Sequence, residues 1–192
     1  MRGRQDGMTL IEILVAMSLL AILSVLGYKA FGSLLISRER LMQTSEQWVD
    51  AARAFRRLEG DLTGQMPAPT QGQGQGPSLG GSQLLLQSDG DGQTLTLQSF
   101  SARYPGGQER ISYHAGAQGL SWAAGDAQGA APTAYVLLGK DAAVRWRVLL
   151  DDGNWLDNWP PREASPAHSP RALEMRIRMP GNEWAKRIWS LP

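Results

Sequence analysis

The chemistry available to this chain starts with one misplaced acid. Between Met8 and Tyr28 the only charged side chain is Glu12, in an otherwise apolar run. A carboxylate in a greasy helix is costly to insert and therefore calls for a cationic partner. Elsewhere the residues that could do chemistry are sparse. There is no cysteine, so no catalytic thiol, thiolate metal site or disulfide scaffold can be built. The two histidines, His114 and His168, stand alone without a His-Glu-x-x-His pattern or a second local ligand. Gly119-Leu120-Ser121-Trp122-Ala123 misses a nucleophile elbow at its last position, in surroundings that read as strand. Asp89-Gly90-Asp91-Gly92 and Asp151-Asp152-Gly153-Asn154 resemble the opening of calcium loops. The first has Thr94 and Phe100 where the loop needs Gly and Glu, so both are better read as turns. Gly72-x-Gly74-x-Gly76 has neither a preceding strand nor a following helix to make it a dinucleotide site. Neither a catalytic residue, a metal site nor a cofactor is expected.

Composition narrows the class. Nineteen Lys and Arg against eighteen Asp and Glu give a net charge of +1, too little to form a field for nucleic acid. Glycine and proline together make 33 of 192 residues, too many for an all-helical bundle.

The elements follow from periodicity. Met8–Tyr28 as a helix would measure roughly 31 Å at about 1.5 Å per residue, enough to cross a hydrocarbon core of about 30 Å. Arg2 and Arg4 on its short N-terminal flank favour a cytoplasmic N-terminus, although Lys29, Arg38 and Arg40 weaken the bias. The helical pattern continues, with Leu34, Leu41, Trp48, Phe55 and Leu62 at every seventh position and Ala51, Ala52 and Leu58 alongside, and Gly64, Pro67 and Pro69 stop it. One helix from about Met8 to about Gln65, roughly 85 Å long, is expected. Residues 67–82 are a Gly/Gln/Pro low-complexity loop.

Beyond it the period changes to two. Leu84–Leu86, Thr94–Phe100, Arg110–His114, Leu120–Trp122 and Ala134–Leu138 read as strands. Val144, Trp146 and Val148 then alternate with Arg145 and Arg147. Leu173, Met175, Ile177 and Met179 alternate with Glu174, Arg176 and Arg178, and Trp184–Trp189 closes the chain. About eight strands imply an antiparallel sheet with one covered face and one wet face, the arginines on the wet side, most simply as a solvated face and alternatively as a partner surface. Helix and sheet each have one apolar face, and burying one against the other gives an α+β fold.

Gly7-Met8-Thr9-Leu10-Ile11-Glu12, followed by Ile13-Leu14-Val15-Ala16, resembles the leader junction of type IV pilins and pseudopilins. That resemblance implies cleavage after Gly7 by a prepilin peptidase and a methylated N-terminus at Met8, where the family usually has Phe. Glu12 then becomes the fifth mature residue and pairs with the N-terminal amine of a neighbouring subunit. A cleaved signal peptide would need a shorter apolar run and a small-x-small site, which Ser24-Val25-Leu26-Gly27 does not supply. A plain signal anchor leaves Glu12 without a reason.

Trp155-Leu156-Asp157-Asn158-Trp159-Pro160-Pro161 and Ser169-Pro170-Arg171-Ala172-Leu173-Glu174-Met175-Arg176-Ile177 resemble the J-type minor pseudopilins of type II secretion, in which a W-x-D-x-W-P run precedes a P-x-A-(V/L)-E strand. Arg53–Leu62 also looks like that family's helix end. Trp155, Asp157, Trp159, Pro160, Pro170, Ala172 and Glu174 carry the signature, with structural roles. The resemblance implies a pilin-like fold: leader 1–7, transmembrane helix 8–28, periplasmic amphipathic helix 29–65, loop 66–82 and β-rich head 83–192. It further implies a non-enzymatic, single-pass inner-membrane protein whose N-terminus is cytoplasmic and whose head is periplasmic. Its implied partners are the I-type and K-type minor pseudopilins, then the H-type and the major pseudopilin, with the prepilin peptidase as processing enzyme and no nucleic acid. Together they would form the tip that primes pseudopilus assembly for export of folded exoproteins. Two alternatives share parts of this pattern: a minor pilin of a type IV pilus, and a signal-anchored periplasmic enzyme or ligand-binding domain.

Overall fold

The computed structural model describes residues 9–64, 84–104, 107–127, 129, 132–140, 142–161 and 168–191. Gly7, Met8 and the loop expected over 66–82 lie outside the described residues. The chain divides into two units, Met1–Glu46 and Gln47–Pro192.

Among its described residues the first unit is helical apart from Thr9, and it belongs to helix α1, Leu10–Thr63. No proline interrupts the run, and leucine, a strong helix former, is its commonest residue, so the backbone closes its own hydrogen bonds throughout. The hydroxyls of Ser18 and Ser24 donate to the carbonyls of Leu14 and Leu20 at 2.7 and 2.8 Å, which satisfies them without leaving the helix surface. Every large apolar side chain from Leu10 to Met42 is exposed. Within the described residues α1 holds the one helix segment long and apolar enough to cross a membrane.

The second unit joins the last turns of α1 to nine strands. Strands β1 (Leu84–Asp89), β2 (Gly92–Phe100), β3 (Gln108–Gly116), β4 (Gly119–Asp126) and β5 (Tyr135–Leu138) form an antiparallel meander in that order. A second antiparallel sheet has the order β7-β6-β8-β9, from β6 (Val144–Leu150), β7 (Trp155–Leu156), β8 (Pro170–Arg178) and β9 (Trp184–Ser190). The β1–β2 hairpin is the turn expected at Asp89–Gly92. Asp89 Oδ1 accepts from the Asp91 and Gly92 amides, both at 3.0 Å. Gly119 opens β4 at φ 95, and a Cβ there would lie 2.2 Å from the carbonyl oxygens of Leu138 and Gly139.

One core fills the unit. Ala51, Ala54, Leu58 and Leu62 of α1 join Leu84, Leu86, Leu95, Leu97, Tyr113 and Leu120 of the first sheet, and Trp146, Val148, Leu173 and Met175 of the second. Tyr113 and Trp146 meet edge to face across the sheets, ring centroids 6.4 Å apart. The alternating residues of β6 and β8 supply their inward faces as expected.

Three expectations are corrected. The strands form two sheets, because the short connection after β5 leads into a new sheet instead of a sixth neighbour. The buried stripe of α1 takes Ala51, Leu58 and Leu62 from the expected apolar row and adds Ala54, while Trp48 and Phe55 of the heptad fall outside it. An α-helix turns every 3.6 residues, so a seven-residue row drifts off the contact face. Leu34, Leu41 and Trp48 are exposed, and Phe55 is half-buried against Trp189 at 6.0 Å. Finally, the arginine face of β6 and β8 is not uniformly wet: Glu174 on it is 2% exposed.

Candidate functional site

At the start of α1, Thr9 and Glu12 face each other as a capping box. The Thr9 amide and hydroxyl donate to Glu12 Oε2 at 3.0 and 3.1 Å, and the Glu12 amide returns to Thr9 Oγ1 at 3.4 Å. The pair satisfies donors that a helix start leaves without partners. Sequence reasoning placed Glu12 for pairing with an amine and missed this local role, although Thr-x-x-Glu is its readable signal.

The signature run Trp155–Pro161 ties the two sheets together. Trp155 and Leu156 are β7, on the edge of β6. Trp159 crosses to the first sheet, exchanging both backbone hydrogen bonds with Leu86 at 2.7 Å, and its side chain is 2% exposed. The Asp157 carbonyl accepts from Ser88 Oγ at 2.9 Å, and Asn158 Oδ1 accepts from the Ser88 amide at 2.6 Å. The Trp159–Pro160 peptide is cis. Thus Trp159 anchors the run, while the Asp157 side chain faces solvent.

Gln93 completes this seam and was not singled out from the sequence. Its buried amide donates to the Trp146 carbonyl at 3.2 Å and accepts from the Trp146 amide at 2.9 Å. Trp146 lies beyond the two-residue reach of β7, so Gln93 acts as the missing strand neighbour on that side.

Pro170 begins β8 opposite Leu150, where the register shifts, and Ala172 is buried between Leu149 and Ser190. Glu174 sits among cations. Its Oε1 accepts from Arg147 Nε and Nη2 at 3.0 and 2.9 Å, and from Arg176 Nε at 2.5 Å. Burial pushes this carboxyl up, but the bonds from Arg176 and Arg147 outweigh it and hold the group below its ordinary value. Arg147 also lies 4.9 Å over the Trp155 ring.

Asp61 is a second node that sequence reasoning passed over within Arg53–Leu62. Its Oδ2 accepts from Tyr113 Oη at 2.6 Å, Trp122 Nε1 at 2.9 Å and Arg57 Nε at 3.3 Å. Arg57 stacks 3.9 Å over Trp122. Burial, with the Asp61 charge behind it, pushes the Tyr113 phenol far above its usual range. These contacts fasten the end of α1 to β3 and β4.

The residues weighed for catalysis do not converge on a reaction. Ser121 and His114 are cross-strand partners, yet the Ser121 hydroxyl reaches only the His114 carbonyl, at 3.5 Å. The His114 ring pairs instead with Thr94 Oγ1 at 3.0 Å. His168 meets Asp151 at 2.9 Å and Asp152 at 3.7 Å on an exposed turn. Among the described residues no group of three ligands has an arrangement that would hold a metal ion.

Comparison with known proteins agrees with this architecture. Residues 29–191 match the sequence model of "Type II secretion system (T2SS), protein J", and residues 2–28 match that of the prokaryotic N-terminal methylation motif. Among solved structures, a chain of the GspK–GspI–GspJ complex of the enterotoxigenic Escherichia coli type 2 secretion system matches with TM-score 0.51 and 22% identity. The match covers 76% of this chain and 97% of that one. The likeness establishes the pilin-like α+β fold, and the family match, spanning most of the chain, establishes the lineage. The chain belongs to the protein J family of the type II secretion system, the J-type minor pseudopilins.

Proposed function

We propose that this minor pseudopilin is a structural, non-enzymatic subunit of the pseudopilus tip. In this reading it joins I-type and K-type partners first, then the H-type and the major pseudopilin, and it primes the filament that drives folded exoproteins outward. The leader 1–7 is removed by prepilin peptidase after Gly7 and Met8 is methylated. Residues 8–28 lie in the inner membrane with the N-terminus cytoplasmic, and 29–65, 66–82 and 83–192 are periplasmic helix, loop and head. Glu12 pairs with a neighbour's N-terminal amine during assembly. Trp155, Asp157, Trp159, Pro160, Pro170, Ala172 and Glu174 keep the head in shape.

The observation that carries the reading is the pairing of two matches on one chain. A methylation motif covers 2–28 and a protein J match covers 29–191, with an exposed apolar helix where they meet. The related complex of K, I and J proteins supports the choice of partners. A minor-pilin role is the competing reading, since it shares the N-terminal motif.

The test is mass analysis of the N-terminus from cells with and without prepilin peptidase, alongside a gene deletion. We expect the mature chain to begin at methylated Met8 only where the peptidase is present. The deletion should abolish exoprotein release and leave twitching intact. An intact Met1 in both strains, or loss of twitching with normal release, refutes the proposal.

A further inference from the structure

The outward face of the second sheet concentrates charge. Cross-strand register sets Arg145 beside Arg176, and Arg176 beside Lys186, so three cations line up across β6, β8 and β9. The next row is Arg147, Glu174 and Ile188, and Arg178 stands opposite Trp184. Five cations therefore share one face with a single carboxylate, in a chain whose net charge is only +1. Like charges directly opposite one another destabilise a sheet, so this array works against the fold unless something else uses it.

Glu174 neutralises only part of the array, because its bonds go to Arg147 and Arg176. Arg145, Arg178 and Lys186 are exposed and have no carboxylate partner among the described residues. Beside them lies a recess of ≈ 540 Å³ whose wall includes Arg145, Arg147, Arg176 and Trp184, with Asp157 the one acidic residue among those described. Trp184 and Ile188 are 45% and 50% exposed. Arginine, tryptophan and an aliphatic side chain around a recess make the composition of a protein interface centre, not of a merely solvated face.

We propose that this face is a docking surface for an acidic segment of a partner protein, with partner carboxylates seated over Arg145, Arg176 and Lys186. Four of the five cations are arginines, whose planar forks take carboxylates two bonds at a time. Glu174 fixes two of those forks in place, so little side-chain freedom is lost when a partner arrives. A lipid-directed basic patch works instead through diffuse, lysine-rich charge against a flat plane, which a recess between strands does not fit. The inference rests on this sheet alone and does not depend on the filament reading.

The experiment uses the full-length chain in zwitterionic micelles and a fluorescent octaglutamate peptide, with octaglutamine and phosphatidylcholine–phosphatidylglycerol vesicles as comparison probes. The parent should bind octaglutamate in a salt-sensitive manner and ignore octaglutamine. Arg145→Glu/Lys186→Glu should weaken binding about ten-fold or more. Neither side chain is paired among the described residues, so the fold should survive; the neutral pair Arg145→Gln/Lys186→Gln should lose binding to a smaller extent. Arg56→Glu/Arg103→Glu, which reverses two exposed cations elsewhere, should change it by less than about two-fold, as screening predicts for distant charges. Three results overturn the proposal: no octaglutamate binding by the parent, equal weakening by the two charge-reversed pairs, or a dependence on Arg145 and Lys186 for vesicles but not for peptide.

Discussion

Glu174 shows how one side chain is held against its own burial. Desolvation alone would favour the neutral acid, yet Arg176 and Arg147 keep the charged form favoured in the folded chain. The folded carboxyl is thus more acidic than the unfolded one. Its stabilisation is complete above the unfolded value of 4.5 and disappears as pH falls through the lower folded value. Removing the charge leaves Arg147 and Arg176 facing each other, though their side chains are 30% and 35% exposed and water relieves part of the repulsion. Glu174→Gln should therefore lower unfolding free energy by about 2 kcal/mol at neutral pH. Urea unfolding followed by tryptophan fluorescence should show the gap from the parent narrowing in acid, since a protonated Glu174 resembles glutamine. A gap of constant size down to acid pH would mean that the charge contributes nothing.

At the scale of elements, the last turns of α1 are fixed by Asp61 as much as by apolar contact. The carboxylate accepts from the phenol of the buried Tyr113 and from the indole N–H of the half-buried Trp122. Asp61→Ala should cost about 2–4 kcal/mol, because two donors lose their acceptor together, whereas Tyr113→Phe removes one bond and should cost about 1 kcal/mol. Chemical denaturation of both variants checks the ratio; equal losses would show that the bonds from Trp122 and Arg57 to Asp61 contribute nothing. Neither Asp61 nor Gln93 could be recognised from the chain alone. Periodicity assigns a residue to a face, so the inward rows Val144–Trp146–Val148 and Leu173–Met175–Ile177 were readable. It does not say which strands become neighbours, and both polar nodes depend on neighbours 52 and 53 residues away. The same gap explains why Glu174 was placed in solvent: Arg147 comes to it from β6, 27 residues earlier. The two-residue β7 escaped because so short a strand has no period to detect.

Taken as a whole molecule, the chain carries a first unit that cannot be at rest in water. From Leu10 to Met42 its large apolar side chains are open on every side, and lipid or neighbouring helices must cover them. Glu12 lies at the start of this stretch and could serve two purposes. Both Thr9 bonds end on Oε2, so among the described residues Oε1 has no bond and could take an amine from another subunit. The two purposes need different chemistry. A cap needs only an acceptor oxygen, while an ion pair with a methylated amine needs the charge. Glu12→Gln keeps the oxygen and removes the charge; Thr9→Ala keeps the charge and removes the capping hydroxyl. If assembly depends on the ion pair, Glu12→Gln should cut exoprotein release by roughly ten-fold, the order expected for one lost charge-assisted contact, with normal insertion in the membrane. Thr9→Ala should then secrete nearly as well as the parent, because the helix can fray by one turn inside a packed filament without losing its partner. The reverse ranking would assign Glu12 to the helix start and leave the register of the filament to the heads.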